Sequence, residues 1–349
     1  MRNRERSHSL NQIVTIGLDL AKNIFQVHGI DACGKVVVRK PLRRGEVMKF
    51  FASLPPCLIG IEACATAHHW GRELGKLGHT VRLMPPAYVK AYVKRGKTDA
   101  ADAEAICEAV TRPTMRFVAV KSMEQQGVLM LHKTRDLLVR QRTMLINALR
   151  GHLAEFGIIA AQGTAGVKAA IEAFHAMQDS LPTLAGKALH GLIKQMRVVA
   201  SEIDTIEEQI LAWHRNNAAS RRLAGIPGIG PITASAIVAT VSDATLFSSG
   251  RSFAAWLGLT PRAHSSGGKE KLVGISKQGD SYIRRLLVIG ATAVIRRARQ
   301  DNASKSWAAK LLTRKPARLV SVALANKTAR VAWALLARNQ AYIAHVGAA

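Results

Sequence analysis

Four acidic side chains stand out by their type and position. Asp19 closes an apolar run (13–20, IVTIGLDL) and Glu62 follows another (57–61, CLIGI). Asp99 and Asp102 are three residues apart at the start of a helix-forming stretch (98–110), so they share one helical face. Carboxylates gathered without a cation raise one another's proton affinity. Two hard divalent ions, Mg²⁺ or Mn²⁺, would relieve that repulsion and could clamp the attacking and leaving oxygens of a phosphoryl transfer. Taken singly, each acid has an ordinary explanation, as a hairpin residue or a helix-start acid. Their joint placement argues for a shared site.

Basic residues lead up to the acids. In AYVKAYVKRGKTDAAD (87–102), Lys90, Lys94, Arg95 and Lys97 alternate with Tyr88 and Tyr92, which suits phosphates and stacked bases. His68, His69 and His79 lie near the acids in sequence and read as structural or phosphate-facing rather than as metal ligands. A second basic region surrounds PRAHSSGGKEKLVGISKQGD (261–280), with Arg262, Lys269, Lys271 and Lys277, followed by Arg284 and Arg285. This stretch reads as a long loop, and long loops inside compact domains are commonly functional or disordered.

These residues need a scaffold. The β-branched runs 13–20, 24–30 and 35–39 read as three consecutive antiparallel strands. Helix 44–54, strand 57–61, helix 66–77, strand 79–84 and helix 98–110, N-capped by Thr98, complete a ribonuclease H-like order. In that order the first and fourth strands are neighbours and the last helix crosses their ends. The expected fold class is therefore α/β followed by all-α. A ribonuclease H-like (RuvC-like) domain spans 11–118, a helical coiled-coil region 119–217, and a helical C-terminal domain 218–349. In the middle region, Ile193, Met196, Val199, Ile203, Ile206, Ile210 and Trp213 form an amphipathic seam, suited to a pair within or between chains. Residues 157–186 read as a bend or mobile insert. LAGIPGIGPITASAIVATV (223–241) reads as helix, Gly-rich hairpin, helix, a form that can grip phosphate with backbone N–H groups or simply turn the chain.

Composition narrows the partners. The 349 residues carry a net charge of +27 with 48% hydrophobic residues, a packed protein and not a basic tail. From Ala218 onward there are 20 Lys and Arg against four acids. A protein acting on small neutral metabolites has no need of this charge, whereas a polyanion partner does. Cys33, Cys57, Cys64 and Cys107 form no C-x-x-C pair, which argues against a zinc ribbon or disulfide framework and reads as small buried residues. No signal peptide or membrane span is expected, since the longest apolar run (286–295) is about half a span. A cytoplasmic, nucleoid-associated protein follows.

The motifs GLDLAKN (17–23), IEACATAHHW (61–70) and KTDAADAEAI (97–106) resemble the DEDD motifs of transposases of the insertion-sequence one-hundred-ten type, a group that includes the pilin-gene invertase. GIPGIGPITA (225–234), FAAWLGLTPR (253–262), HSSGGK (264–269) and GISKQGDSYIRRLL (274–287) resemble its second domain, closest to the eleven-eleven subgroup. The resemblance implies a RuvC-like tetrad, Asp19, Glu62, Asp99 and Asp102, binding divalent metal. It also implies a serine that attacks the DNA backbone. That serine falls on Ser266, with Ser265 beside it and Ser276 as the alternative. The resemblance further implies donor and target duplex DNA, a guide (bridge) non-coding RNA, and assembly as a dimer of dimers. A RuvC-like structure-specific endonuclease using metal-activated water is the competing function.

Overall fold

The computed structural model describes residues 12–94, 96, 98–264, 271–300 and 306–343. The chain divides into two compact units. One runs to Gln125 and includes Val241–Leu246; the other comprises Gln126–Thr240 and the chain from Phe247 onward.

The first unit is built on five strands, β1 (Thr15–Asp19), β2 (Ile24–Ile30), β3 (Val36–Arg43), β4 (Leu58–Glu62) and β5 (Thr80–Met84). Their order is β3-β2-β1-β4-β5. β1 is antiparallel to β2, and β2 to β3, while β1, β4 and β5 are parallel. The β2–β3 turn is fixed locally. The Asp31 carboxylate accepts from the N–H groups of Cys33 and Lys35, both at 2.9 Å, and Gly34 supplies the positive φ.

Alternation along the strands sorts their faces. Ile16, Leu18, Phe25, Val27, Ile59 and Ile61 point into one core with Phe50 and Phe51 from helix α1 (Val47–Ala52) and Trp70 and Leu74 from α2 (Ala67–Lys76). After β5 comes the short α3 (Pro86–Val89), then α4 (Asp99–Val110), which covers the opposite face across β1, β2 and β4. The strand and helix order expected from sequence is observed here.

The second unit is mostly helical. It contains α5 (Met123–Ala154), α6 (Thr164–Met177), α7 (Thr183–Asn216), α8 (Ala218–Ala224), α9 (Pro231–Thr240), α10 (Gly250–Trp256), α11 (Ser281–Gln300), α12 (Trp307–Leu312) and α13 (Ala317–Arg338). The expected α7 seam is core within the chain: Ile193, Met196, Val199, Ile203, Ile206 and Ile210 are buried, and Leu189, Ile193 and Met196 pack on Leu149 and Leu153 of α5 and Phe174 of α6.

Three expectations need correction. Residues 157–186 are not simply a bend, because they contain α6, whose buried Ala170 and Phe174 give it a packed face. The 261–280 stretch is not all loop, because Pro261–Ala263 (β6) and Leu272–Ile275 (β7) pair antiparallel. The cysteines are not all buried, because Cys33 and Cys64 are exposed on turns. α13 is long and apolar enough to cross a membrane by length and composition, but Val320, Ala325, Ala329 and Ala332 are buried against the fold.

Candidate active site

Asp19 ends β1 and Asp99 and Asp102 open α4, and one carboxylate oxygen from each lies within 4.8 Å of the others. Two glycines make this approach possible. A Cβ on Gly17 would lie 2.1 Å from the Ala103 carbonyl oxygen, and one on Gly60 2.7 Å from the Val110 Cβ. Each glycine precedes a site acid by two residues, and so shares its face: Gly17 with Asp19, Gly60 with Glu62. The helix can therefore lie directly on β1 and β4. Thr98 caps it, its hydroxyl accepting from the Ala101 N–H at 3.2 Å, which sets Asp99 and Asp102 in the first turn.

The electrostatics match the geometry. Burial pushes the Asp19 carboxyl up from its ordinary 3.8 to about 6, and the charges of Asp102, Asp99 and Glu62 push the same way. Glu62 is outside the three-oxygen group, yet its charge reaches Asp19 from the neighbouring strand. The donor set is oxygen-only, and the mutual repulsion is what a hard divalent cation would relieve. These residues fit such an ion.

The surrounding residues divide into exposed and engaged. Lys90 and Tyr88 are exposed. Lys94 pairs with Glu104, and Tyr92 packs against the Met84–Val89–Ile106 cluster, which gives the ring a core role. Arg95 and Lys97 lie outside the described residues. His79 is buried, accepting from the Cys57 N–H through Nδ1 at 3.2 Å, with Nε2 3.1 Å from the Phe51 carbonyl. His68 bonds Lys121. Both have the expected structural role.

In the second unit, β6 and β7 flank the serine motif in sequence. Beyond their ladder, the His264 N–H donates to the Lys271 carbonyl at 2.8 Å. Ser265, Ser266 and Lys269 lie outside the described residues. Arg262, Lys271 and Lys277 are exposed, and Lys277 has a φ of +56°. Arg284, expected on phosphate, instead donates through one guanidinium nitrogen to the carbonyls of Leu257 (2.9 Å) and Gln278 (2.8 Å). It thereby ties FAAWLGLTPR to ISKQGD. Gly258 and Gly279 let the two backbones touch, since a Cβ on either would strike the other segment at 2.3 and 1.8 Å. Arg285 pairs with Asp136. The GIPGIG turn packs Gly228 against Gly290 of α11, so that turn has a packing role.

Sequence reasoning missed a buried polar network here. His132 of α5 is 1% exposed, with Nδ1 3.1 Å from the Tyr282 hydroxyl and Nε2 3.1 Å from the Ser235 hydroxyl. The residues lie on three helices far apart in sequence, and His132 sits in an unremarkable charged stretch, so no local signal marks them.

A parallel–antiparallel five-stranded sheet with carboxylates converging where a capped helix crosses adjacent strands is consistent with a DEDD nuclease-like fold. This is the architecture of a DNA-processing domain. Residues 16–158 match the model of a DEDD transposase domain of the IS110 kind, and residues 220–307 that described as "Transposase IS116/IS110/IS902 family". The chain is 52% identical to a Pseudomonas aeruginosa protein named "Probable family 20 transposase", covering 94% of this chain and 98% of that one. It is 39% identical to the transposase for insertion sequence element IS1111A of Coxiella burnetii (97% and 94% covered) and 38% identical to that for IS1328 of Yersinia enterocolitica (95% and 98%). The chain belongs to the IS110/IS116 family of transposases.

Proposed function

We propose that this transposase breaks and rejoins DNA strands through a serine–DNA intermediate, with Asp19, Glu62, Asp99 and Asp102 holding Mg²⁺ or Mn²⁺. The observation that carries the metal half is the convergence of Asp19, Asp99 and Asp102, with Asp19 raised by burial and its neighbours. A bound divalent ion would supply Lewis-acid stabilisation of charge at the reacting phosphate. The residues themselves hold and orient: Gly17 and Gly60 let α4 approach, and Thr98 fixes its first turn.

The serine half rests on the motif after LTPR. The Ser266 hydroxyl oxygen attacks phosphorus, forms a phosphoserine diester and releases a deoxyribose hydroxyl. The reverse reaction with a new hydroxyl end rejoins the strand without outside energy. Ser265 and Ser276 are the alternative nucleophiles. Lys90, Arg95, Lys97, Arg262, Lys269, Lys271 and Lys277 hold nucleic-acid phosphates around the two centres.

A guide non-coding RNA that pairs with donor and target DNA completes this reading. Self-association, as a dimer of dimers, is supported by α5. Met123, Met130, Leu137 and Met144 recur every seven residues there and are 72%, 67%, 55% and 70% exposed, an apolar stripe along one helix.

The test is recombination with donor DNA, target DNA and the element's flanking RNA. Ser266→Ala is expected to abolish both recombination and the covalent protein–DNA adduct. Full recombination by that variant would overturn the serine assignment. Hydrolysed ends without any adduct in the wild type would favour a RuvC-like, metal-dependent structure-specific endonuclease.

A further inference from the structure

The strand directions place a second basic group at the rim of the sheet where the acids lie. β1, β3, β4 and β5 all end at that rim, and β2 begins there. Across it the order is Arg43, Ile24, Asp19, Glu62, Met84. The acids are therefore central. Lys90 follows on the β5 side. Arg43 and Arg44 stand on the β3 side, and Lys22 sits on the β1–β2 turn beside Asp19.

Arg44 is held in place. Its N–H donates to the Asn23 carbonyl at 2.8 Å, tying the exit of β3 to the β1–β2 turn. Its guanidinium lies 5.5 Å from the Phe25 ring centroid and 5.4 Å from that of Trp70, both buried rings. The Trp70 indole N–H is buried with no hydrogen-bond acceptor, so packing alone fixes this platform. A cation stacked on fixed rings keeps its donors outward and has less freedom left to lose on binding an anion. The Arg43 N–H is capped by the Glu46 carboxylate at 2.8 Å. Lys22, Arg43 and Arg44 are exposed, and none is within ion-pair distance of a carboxylate among the described residues, unlike Lys94.

The spacing fits a strand lying across the site. Asp19 is level with Gln26, and Arg43 with Ile24, two residues nearer the start of β2 and so nearer the rim. Arg43 is thus two strand spacings sideways and two residues onward from Asp19, about 12 Å in all. We propose that Lys22, Arg43 and Arg44 bind the phosphates of the DNA strand as it leaves the acid cluster on the β3 side, with Lys22 next to the phosphate at Asp19 and Arg43 about 12 Å away. Lysines and arginines on an edge strand also discourage sheet-to-sheet pairing. Lys22 and Arg44 lie outside the strand, where that role does not apply.

The proposal rests on the acid cluster being the place where DNA is cut, and the experiment separates the two. Binding of the full chain to a labelled duplex is followed by fluorescence anisotropy in Ca²⁺ over 50–200 mM salt. The triple variant Lys22→Ala, Arg43→Ala, Arg44→Ala is expected to bind more weakly, with a log–log salt slope smaller by about 2 to 3. Lys22→Arg, Arg43→Lys, Arg44→Lys is expected to keep the slope, and thermal unfolding checks that both variants fold. Unchanged affinity and slope in the alanine variant, or weakening for RNA alone, would overturn the proposal. If Asp19→Asn still cuts DNA, the reading of the acid site fails instead, whatever the slopes.

Discussion

Replacing Asp19 by Asn should remove catalysis and stabilise the metal-free protein. In the folded chain the Asp19 carboxyl is raised from 3.8 to about 6, chiefly by burial and then by the charges of Asp102, Asp99 and Glu62. Below pH 3.8 the group is protonated in both folded and unfolded chains and adds no penalty. Between 3.8 and about 6 the folded state retains a proton that the unfolded chain has released, so this group's contribution to stability falls as pH rises. Above about pH 6 the penalty is complete. The full shift corresponds to roughly 3 kcal/mol at about 1.36 kcal/mol per tenfold. Asp19 is only partly shielded from water, and screening brings this to about 1–2 kcal/mol. Urea unfolding in EDTA at pH 7.5 should show Asp19→Asn more stable by about that amount, with the gain shrinking as pH is lowered toward 4. Mg²⁺ or Mn²⁺ should stabilise the wild type and much less the variant. A variant no more stable than wild type in EDTA at pH 7.5 would refute the crowded-carboxylate argument.

Gly17→Val should prevent α4 from seating, because even a Cβ would lie 2.1 Å from the Ala103 carbonyl and 2.4 Å from the Cys107 nitrogen. A loss of about 3 kcal/mol or more is expected in denaturant unfolding, together with loss of DNA cleavage. His132 is held neutral in the folded state, its pKa lowered from 6.5 to about 4, mainly by burial with Arg135 adding to it. Its contribution to stability is present above pH 6.5 and is lost as pH falls toward 4. His132→Gln is expected to lose about 1–3 kcal/mol at pH 7. Relative to wild type that deficit should narrow below pH 6, and a constant deficit across the range would contradict the buried-neutral assignment.

The candidate acids were legible because each has a local cause. Asp19 and Glu62 end apolar strand runs, and Thr98 is a capping residue ahead of two acids at helical spacing. The succession of strands and helices followed from β-branched runs and the turn residues between them, and the pairing of the first strand with the fourth from the ribonuclease H-like order that this succession matches. The long loop at 261–280 was misjudged because β6 and β7 are short and mostly exposed, so they lack the alternation that marks a half-buried strand. α6 was missed because Gly157, Gly163 and Gly166 read as breakers and outweighed the helix-favouring alanines, and the packed face of Ala170 and Phe174 against α5 and α7 depends on residues distant in the chain.

By itself the sequence determined the strands and helices of the first unit, the basic character and the candidate acids, since each depends on neighbours within a few residues. Only the tertiary structure decided how these groups are shared out. Lys94 and Arg284 look like phosphate ligands in sequence, yet one pairs with Glu104 and the other clamps two carbonyls. Gly17 and Gly60 look like ordinary strand glycines, yet they are where α4 meets the sheet. Arg44 gains its place at the acid rim from β3 running parallel to β1 two strands away, with Trp70 arriving from α2 to hold it. Side-chain type is a local property. Which charges remain free, and which converge, depends on strand direction and on the closeness of backbones distant in the chain.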